Sequence, residues 1–165
     1  MFKTGSGKEI ELEKIPESLL NFFEKTHKTY DAPCQIIIGT DSQTFSYTKF
    51  VSVICMIAEG RGGIFFYEIS HKNRMSDVRT KLREETNESL LLADKLIQML
   101  ENDGRYKELY LNCPISIHVD AGNSDKGKTK ALIPELVGWV TACGFSAQVK
   151  PESFVASTIA DRISK

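Results

Sequence analysis

Gln35-Ile36-Ile37-Ile38-Gly39-Thr40-Asp41 is the stretch on which the reading of the whole chain turns. Three consecutive isoleucines leave no polar face, so a strand here is buried on both sides and belongs in the middle of a sheet. It ends in an acid. Toward the C-terminus two more strand patterns follow, 50–58 and 63–70, and Gly60-Arg61-Gly62-Gly63 between them predicts an antiparallel hairpin. After Asn73 the apolar period changes from two to about 3.6. Ser76 is the expected N-cap, and Leu82, Ser89, Leu92, Ala93, Leu96 and Leu100 mark one helical stripe that runs to Gly104. Residues 110–119 read as a fourth strand ending at Asp120, and 129–143 as a helix stopped by Gly144. A fifth strand over 145–149 and a last helix over 152–163 complete the pattern. Toward the N-terminus, Leu19, Leu20, Phe22 and Phe23 share a helical face after Pro16, and the first ten residues are a flexible or edge segment.

The element order is a helix followed by β-β-β-α-β-α-β-α, which predicts an α/β fold: a mixed five-stranded sheet flanked by helices, with an extra N-terminal helix. Residues 1–33 are expected to form the N-terminal extension with its helix, and 34–165 the main domain of one structural unit. The 165 residues suit a single domain, and 41% hydrophobic against 26% charged residues is a globular balance. No apolar stretch is long enough for a membrane span, and the N-terminus lacks an apolar signal core, so a cytoplasmic protein is expected. Cys34, Cys55, Cys113 and Cys143 are widely spaced with no CxxC, as reduced thiols are, and no Cys/His cluster suggests zinc. With 21 basic and 22 acidic residues, a general coat of positive charge is excluded, although a local basic groove is not.

Two strands end alike, in Gly39-Thr40-Asp41 and His118-Val119-Asp120. A carboxylate at the tip of a buried strand is rigidly placed and partly desolvated, as a metal ligand should be. Taken singly each is an ordinary turn aspartate, but on adjacent strands they would stand about 4.8 Å apart and repel unless a cation or a shared proton intervened. On the long helix Glu85 lies on the apolar stripe, where an unpartnered charge is costly. Glu88 is its rival, and Glu84 belongs on the solvated face. In Ala156-Ser157-Thr158-Ile159-Ala160-Asp161-Arg162 small residues surround Asp161 and permit close approach, although, taken alone, Asp161 is better explained by an ion pair with Arg162 or Lys165.

IIIGTDSQ, REETNESLLLADKL, IHVDAGNSDKGKT and KPESFVASTIADR together resemble the bacterial YkuK family of ribonuclease H-like proteins, over about 36–162. The resemblance implies a ribonuclease H-like fold and a two-metal nuclease centre on Asp41, Glu85, Asp120 and Asp161. Its chemistry would be phosphodiester hydrolysis assisted by two Mg²⁺ or Mn²⁺ ions, hard cations that suit an all-oxygen donor set. Asp41 would bridge the ions, Asp120 and Glu85 would share the one nearer the leaving oxygen, and Asp161 would hold the one that activates water. The implied partner is a nucleic acid, whether RNA, DNA or hybrid. The competing class is a catalytically silent nucleic-acid- or protein-binding module on the same fold.

A further motif points elsewhere. Residues 122–129, Gly122 to Thr129, satisfy GxxxxGK[ST] between a strand and a helix, the local context of a P-loop phosphohydrolase. Too little chain follows for an NTPase core, the next strand runs into Lys150-Pro151 and not an acid, and Asp120 would sit beside the phosphates. The residual expectation is that Lys126, Lys128 or Lys130 holds a nucleic-acid phosphate. Lys150 and Arg162 near Asp161, with Arg74, Arg79, Lys81 and Arg83 before Glu85, are the candidates for a basic groove. Ser42 and Asn123 adjoin the strand-end acids and are expected to orient them or a water. His71 is placed to shuttle a proton, while His27 reads as a surface helix residue and His118 and Trp139 as packed ones.

Overall fold

The computed structural model describes residues 1–121, 129–150, 158–159 and 162–163. Seven strands form one mixed sheet in the order β2-β1-β5-β4-β3-β6-β7. They are β1 (Phe2–Thr4), β2 (Glu9–Ile10), β3 (Cys34–Thr44), β4 (Thr48–Ala58), β5 (Gly62–Lys72), β6 (Ile115–Val119) and β7 (Ser146–Val149). Among the described residues they are accompanied by α1 (Ile15–Phe23), α2 (Val78–Asn102), α3 (Lys107–Asn112) and α4 (Ile133–Ala142).

The isoleucine run does lie at the centre of the sheet. β3 pairs antiparallel with β4 on one side and parallel with β6 on the other, and Ile36, Ile37 and Ile38 are all buried. Alternation sends Ile36 and Ile38 into the larger core and Ile37 into a smaller one on the opposite face. The larger core takes Ile15, Leu19 and Phe23 from α1, Leu92, Ala93, Leu96 and Leu100 from α2, and Leu136 and Val140 from α4. Leu109 of α3 joins the same core, so α1, α2, α3 and α4 cover one face. The smaller core joins Ile37, Val51, Val53 and Cys55 to Ile159 and Ile163. Helical backbone at 158–159 and 162–163 falls where the last helix is expected.

β3, β4 and β5 are a meander of long strands. β4 turns into β5 through Gly60, whose φ of 69° is in the left-handed region that glycine enters without strain. At the end of α4, Gly144 has φ 88°, and the Phe145 amide donates to the Val140 carbonyl. This is the expected glycine stop.

Four expectations need correction. The sheet has seven strands, not five, because the first ten residues pair as β1 and β2, and β1 lies antiparallel to β5. β3 does not end at Asp41 but continues to Thr44, since β4 offers it a partner to the end of the hairpin. Residues 107–112 are helical and β6 begins only after Pro114, which has no amide hydrogen to give a strand ladder. The cap of α2 is Asp77, not Ser76; the Thr80 amide donates to its carboxylate at 2.8 Å.

Candidate functional site at the ends of the central strands

Register brings the strand-end acids together. Gly39 on β3 is opposite His118 on β6, and Val119 on β6 is opposite Val149 on β7. Continued two residues beyond Gly39, the first ladder aligns Asp41 with Asp120. Continued one residue beyond Val119, the second aligns Asp120 with Lys150. Neighbouring strands lie about 4.8 Å apart, so this continued register would set Asp41, Asp120 and Lys150 in a transverse row at one end of the sheet. Lys150 Nζ stands 2.5 Å from Asp120 Oδ1. Both aspartates are half-buried, whereas Lys150 is exposed.

Glu85 reaches this corner from α2. It is buried, and Ser42, the residue after Asp41, donates its hydroxyl to Glu85 Oε1 at 2.5 Å. Asp41 and Ser42 point to opposite faces of β3, so Glu85 and Asp41 flank one step of the backbone. Burial pushes the Glu85 carboxyl up to about 8; the Ser42 hydrogen bond opposes this, and the negative charges of Asp41 and Asp120 add to it. Burial therefore favours the protonated, neutral form of Glu85.

Hydroxyl groups hold α2 in place around that carboxyl. Ser89, one turn on, donates to Thr40 Oγ1 at 2.9 Å, and Thr40 and Ser52 share a hydrogen bond of 3.0 Å across the β3–β4 ladder. All three are buried. A serine on the otherwise apolar stripe was the visible sign of this network; its connection to Thr40 and Ser52 was not legible, because it depends on strand register.

The other acids of α2 go elsewhere. Glu84 and Glu88 both pair with Lys72 at the end of β5, so Glu88 is engaged away from the strand-end acids. Arg83 makes two hydrogen bonds to Glu135 on α4, tying two helices together and not lining a groove. Lys150 faces Asp120, and Asp161, beside which it was expected, lies outside the described residues. Lys130 is exposed at the turn before α4, and Arg162 is exposed as well. His71 is exposed and packs edge-on against Tyr47, while His118 is buried on β6. Asp161, Asn123, Lys126 and Lys128 lie outside the described residues, as does all of the GxxxxGK[ST] match except the buried Thr129.

The donor atoms at this corner are all carboxylate and hydroxyl oxygens, the chemistry that Mg²⁺ and Mn²⁺ prefer. Among the described residues no three His, Cys, Asp or Glu side chains stand close enough together to hold an ion. Among the same residues no helix is long and apolar enough to cross a membrane.

Comparison with known proteins gives two findings. The sequence model of a family described as Ribonuclease H-like matches residues 15–165. The chain is also 28% identical to a protein of Bacillus subtilis (strain 168) named "Uncharacterized protein YkuK", with 100% of this chain and 97% of that one covered. No solved structure matches.

Proposed function

Because the chain belongs to the ribonuclease H-like family, we propose that it is a metal-dependent nuclease of the cytoplasm, hydrolysing phosphodiester bonds at the Asp41–Asp120 corner. The observation that carries this reading is that Asp41 and Asp120 each stand two residues beyond the last β3–β6 pair, Gly39 with His118, with buried Glu85 fixed on the neighbouring Ser42. Asp41, Glu85, Asp120 and Asp161 would hold the ions. A bound pair of Mg²⁺ or Mn²⁺ ions would supply a deprotonated water and charge stabilisation of the departing oxygen.

The chain's own residues do the positioning. The β3–β6 ladder fixes the spacing of the two aspartates. Ser42 and the Ser89–Thr40–Ser52 network hold Glu85 and its helix against β3. Lys150 neutralises Asp120 in the absence of other cations, and its exposed ammonium lies where a phosphate would approach. Asn123, Lys126, Lys128 and Arg162 are proposed as further contacts to the nucleic-acid backbone.

The same Lys150–Asp120 pair favours a second reading, a nucleic-acid-binding module without catalysis. An acid already neutralised by an internal lysine does not need a metal. One experiment separates the two. Single strands, duplexes and RNA–DNA hybrids are incubated with purified protein in Mn²⁺, in Mg²⁺ and in EDTA. The nuclease reading expects cleavage with metal, none with chelator, and a loss of at least about a hundredfold in Asp41→Asn and Asp120→Asn. Strand binding without cleavage in any metal leaves the silent module.

A further inference from the structure

The hairpin joining β3 to β4 closes through Phe45-Ser46-Tyr47 and exposes two aromatic rings beyond the acidic corner. Phe45 is 50% exposed and Tyr47 42%. One exposed ring is unremarkable on a protein surface. Here three rings are ordered against one another. The Phe45 and Tyr47 centroids are 5.7 Å apart, and Tyr47 meets His71 of β5 edge-on at 4.9 Å and 86°. Mutual packing of this kind limits the freedom that each ring would otherwise lose on binding a ligand.

Register gives the group its orientation. His71 is directly opposite Lys49 on β4, and Lys49 is directly opposite Gln43, two residues beyond Asp41. Alternation therefore places Asp41, Lys49 and His71 on the same face of the sheet, the one turned away from α2. The row of Lys49 and His71 lies about 7 Å beyond the row of Asp41 and Asp120 along the strands. Lys49 Nζ also donates to the Ile163 carbonyl at 3.3 Å, which keeps its charge on this face. Open aromatic faces and an ammonium thus stand beside a pair of strand-end carboxylates, all on one side.

We propose that Phe45, Tyr47 and His71 form a stacking subsite for an unpaired base of single-stranded nucleic acid. Lys49 supplies positive charge to the adjoining backbone, and the strand passes from there over Asp41 and Asp120. The proposal rests on the nucleic-acid reading of the same corner and narrows it to a substrate class. Every base presents a π-face, so stacking on aromatic side chains tolerates any sequence. Paired bases already stack on their neighbours, so the rings discriminate against duplex.

The test measures binding in EDTA, so that no cleavage intervenes. Labelled oligothymidylate, oligouridylate and a duplex of equal length are titrated with wild type, Phe45→Ala, Tyr47→Ala and Tyr47→Phe, following fluorescence anisotropy. Both single strands are expected to bind wild type more tightly than the duplex does. Each alanine variant should weaken single-strand binding by about tenfold. Tyr47→Phe, which keeps the ring, should bind as wild type, and the duplex affinity should not change. Alanine variants that bind single strands like wild type overturn the subsite while leaving the nuclease reading intact. Wild type that binds single strands in this ring-dependent way yet cleaves nothing supports the subsite and removes the nuclease reading. If Tyr47→Ala instead abolishes a self-association seen in sedimentation and leaves strand affinity unchanged, the rings serve a contact between copies and the proposal fails.

Discussion

Glu85 is two turns into a helix whose inward stripe is otherwise apolar or hydroxylic, and a carboxyl there has a consequence for stability. Its folded value of about 8 lies well above the ordinary one of 4.5, mainly because it is buried. Below the ordinary value both folded and unfolded chains carry the proton and the group costs nothing. As pH rises from about 4.5 toward 8 the unfolded chain releases its proton while the folded one retains it, so stability falls across that window and levels off above it. Glu85→Gln keeps the shape and an acceptor for Ser42 but cannot ionise. The variant should match wild type near pH 4 to 5 and exceed it at pH 8 by on the order of a few kcal/mol, as urea melts at several pH values would measure. A flat difference across that range would mean that Glu85 is ionised in the fold. That a charged residue on the stripe must have a partner was legible in the helical spacing. That the partner is Ser42 was not, because one residue of register on β3 decides which side chain faces α2.

The long helix and the meander illustrate what periodicity does and does not reveal at the scale of an element. Leu82, Ser89, Leu92, Ala93, Leu96 and Leu100 are all buried, as their spacing requires. The start of the helix was misplaced by one residue because Ser76 and Asp77 are both good caps, and only the carboxylate of Asp77 reaches the Thr80 amide and hydroxyl. Tyr110 and Leu111 imitate a strand in sequence, but their exposure shows that this short segment is a helical turn on the surface before Pro114. Two substitutions separate cap from core. Asp77→Ala should cost about 1 kcal/mol through lost capping, whereas Leu96→Ala, at a site with no exposure, should cost about 2–5 kcal/mol through lost burial and a cavity. Both are read by denaturant titration, and neither residue touches the acidic corner. Equal effects would contradict the packing described for α2.

For the molecule as a whole, the first fourteen residues are what the sequence conceals most. A polar segment with Gly5 and Gly7 gives no strand period, yet β1 covers the outer edge of β5, with Lys3 opposite Tyr67 and Thr4 opposite Phe66. The pairing depends on a partner some sixty residues away, which no local pattern announces. Phe2 fixes it: at 3% exposure it is part of the larger core, and the N-terminal ammonium contacts Glu68 Oε1 at 2.5 Å. Deleting residues 1–10 would leave the hole of a buried phenylalanine, worth about 3–5 kcal/mol in similar cores. It would also bare β5 around Phe66 and Tyr67, lengthening an open strand edge that is a template for pairing with other chains. The truncated protein should therefore melt at a clearly lower temperature and associate as concentration rises, whereas Phe2→Ala in the full chain should reproduce the lower melting temperature without the association. Scanning calorimetry and sedimentation at two concentrations read both effects. Because β5 and β4 both stand between β1 and β3, nuclease activity at permissive temperature should survive the deletion; its loss there would mean that the edge strands shape the acidic corner as well as guard the sheet.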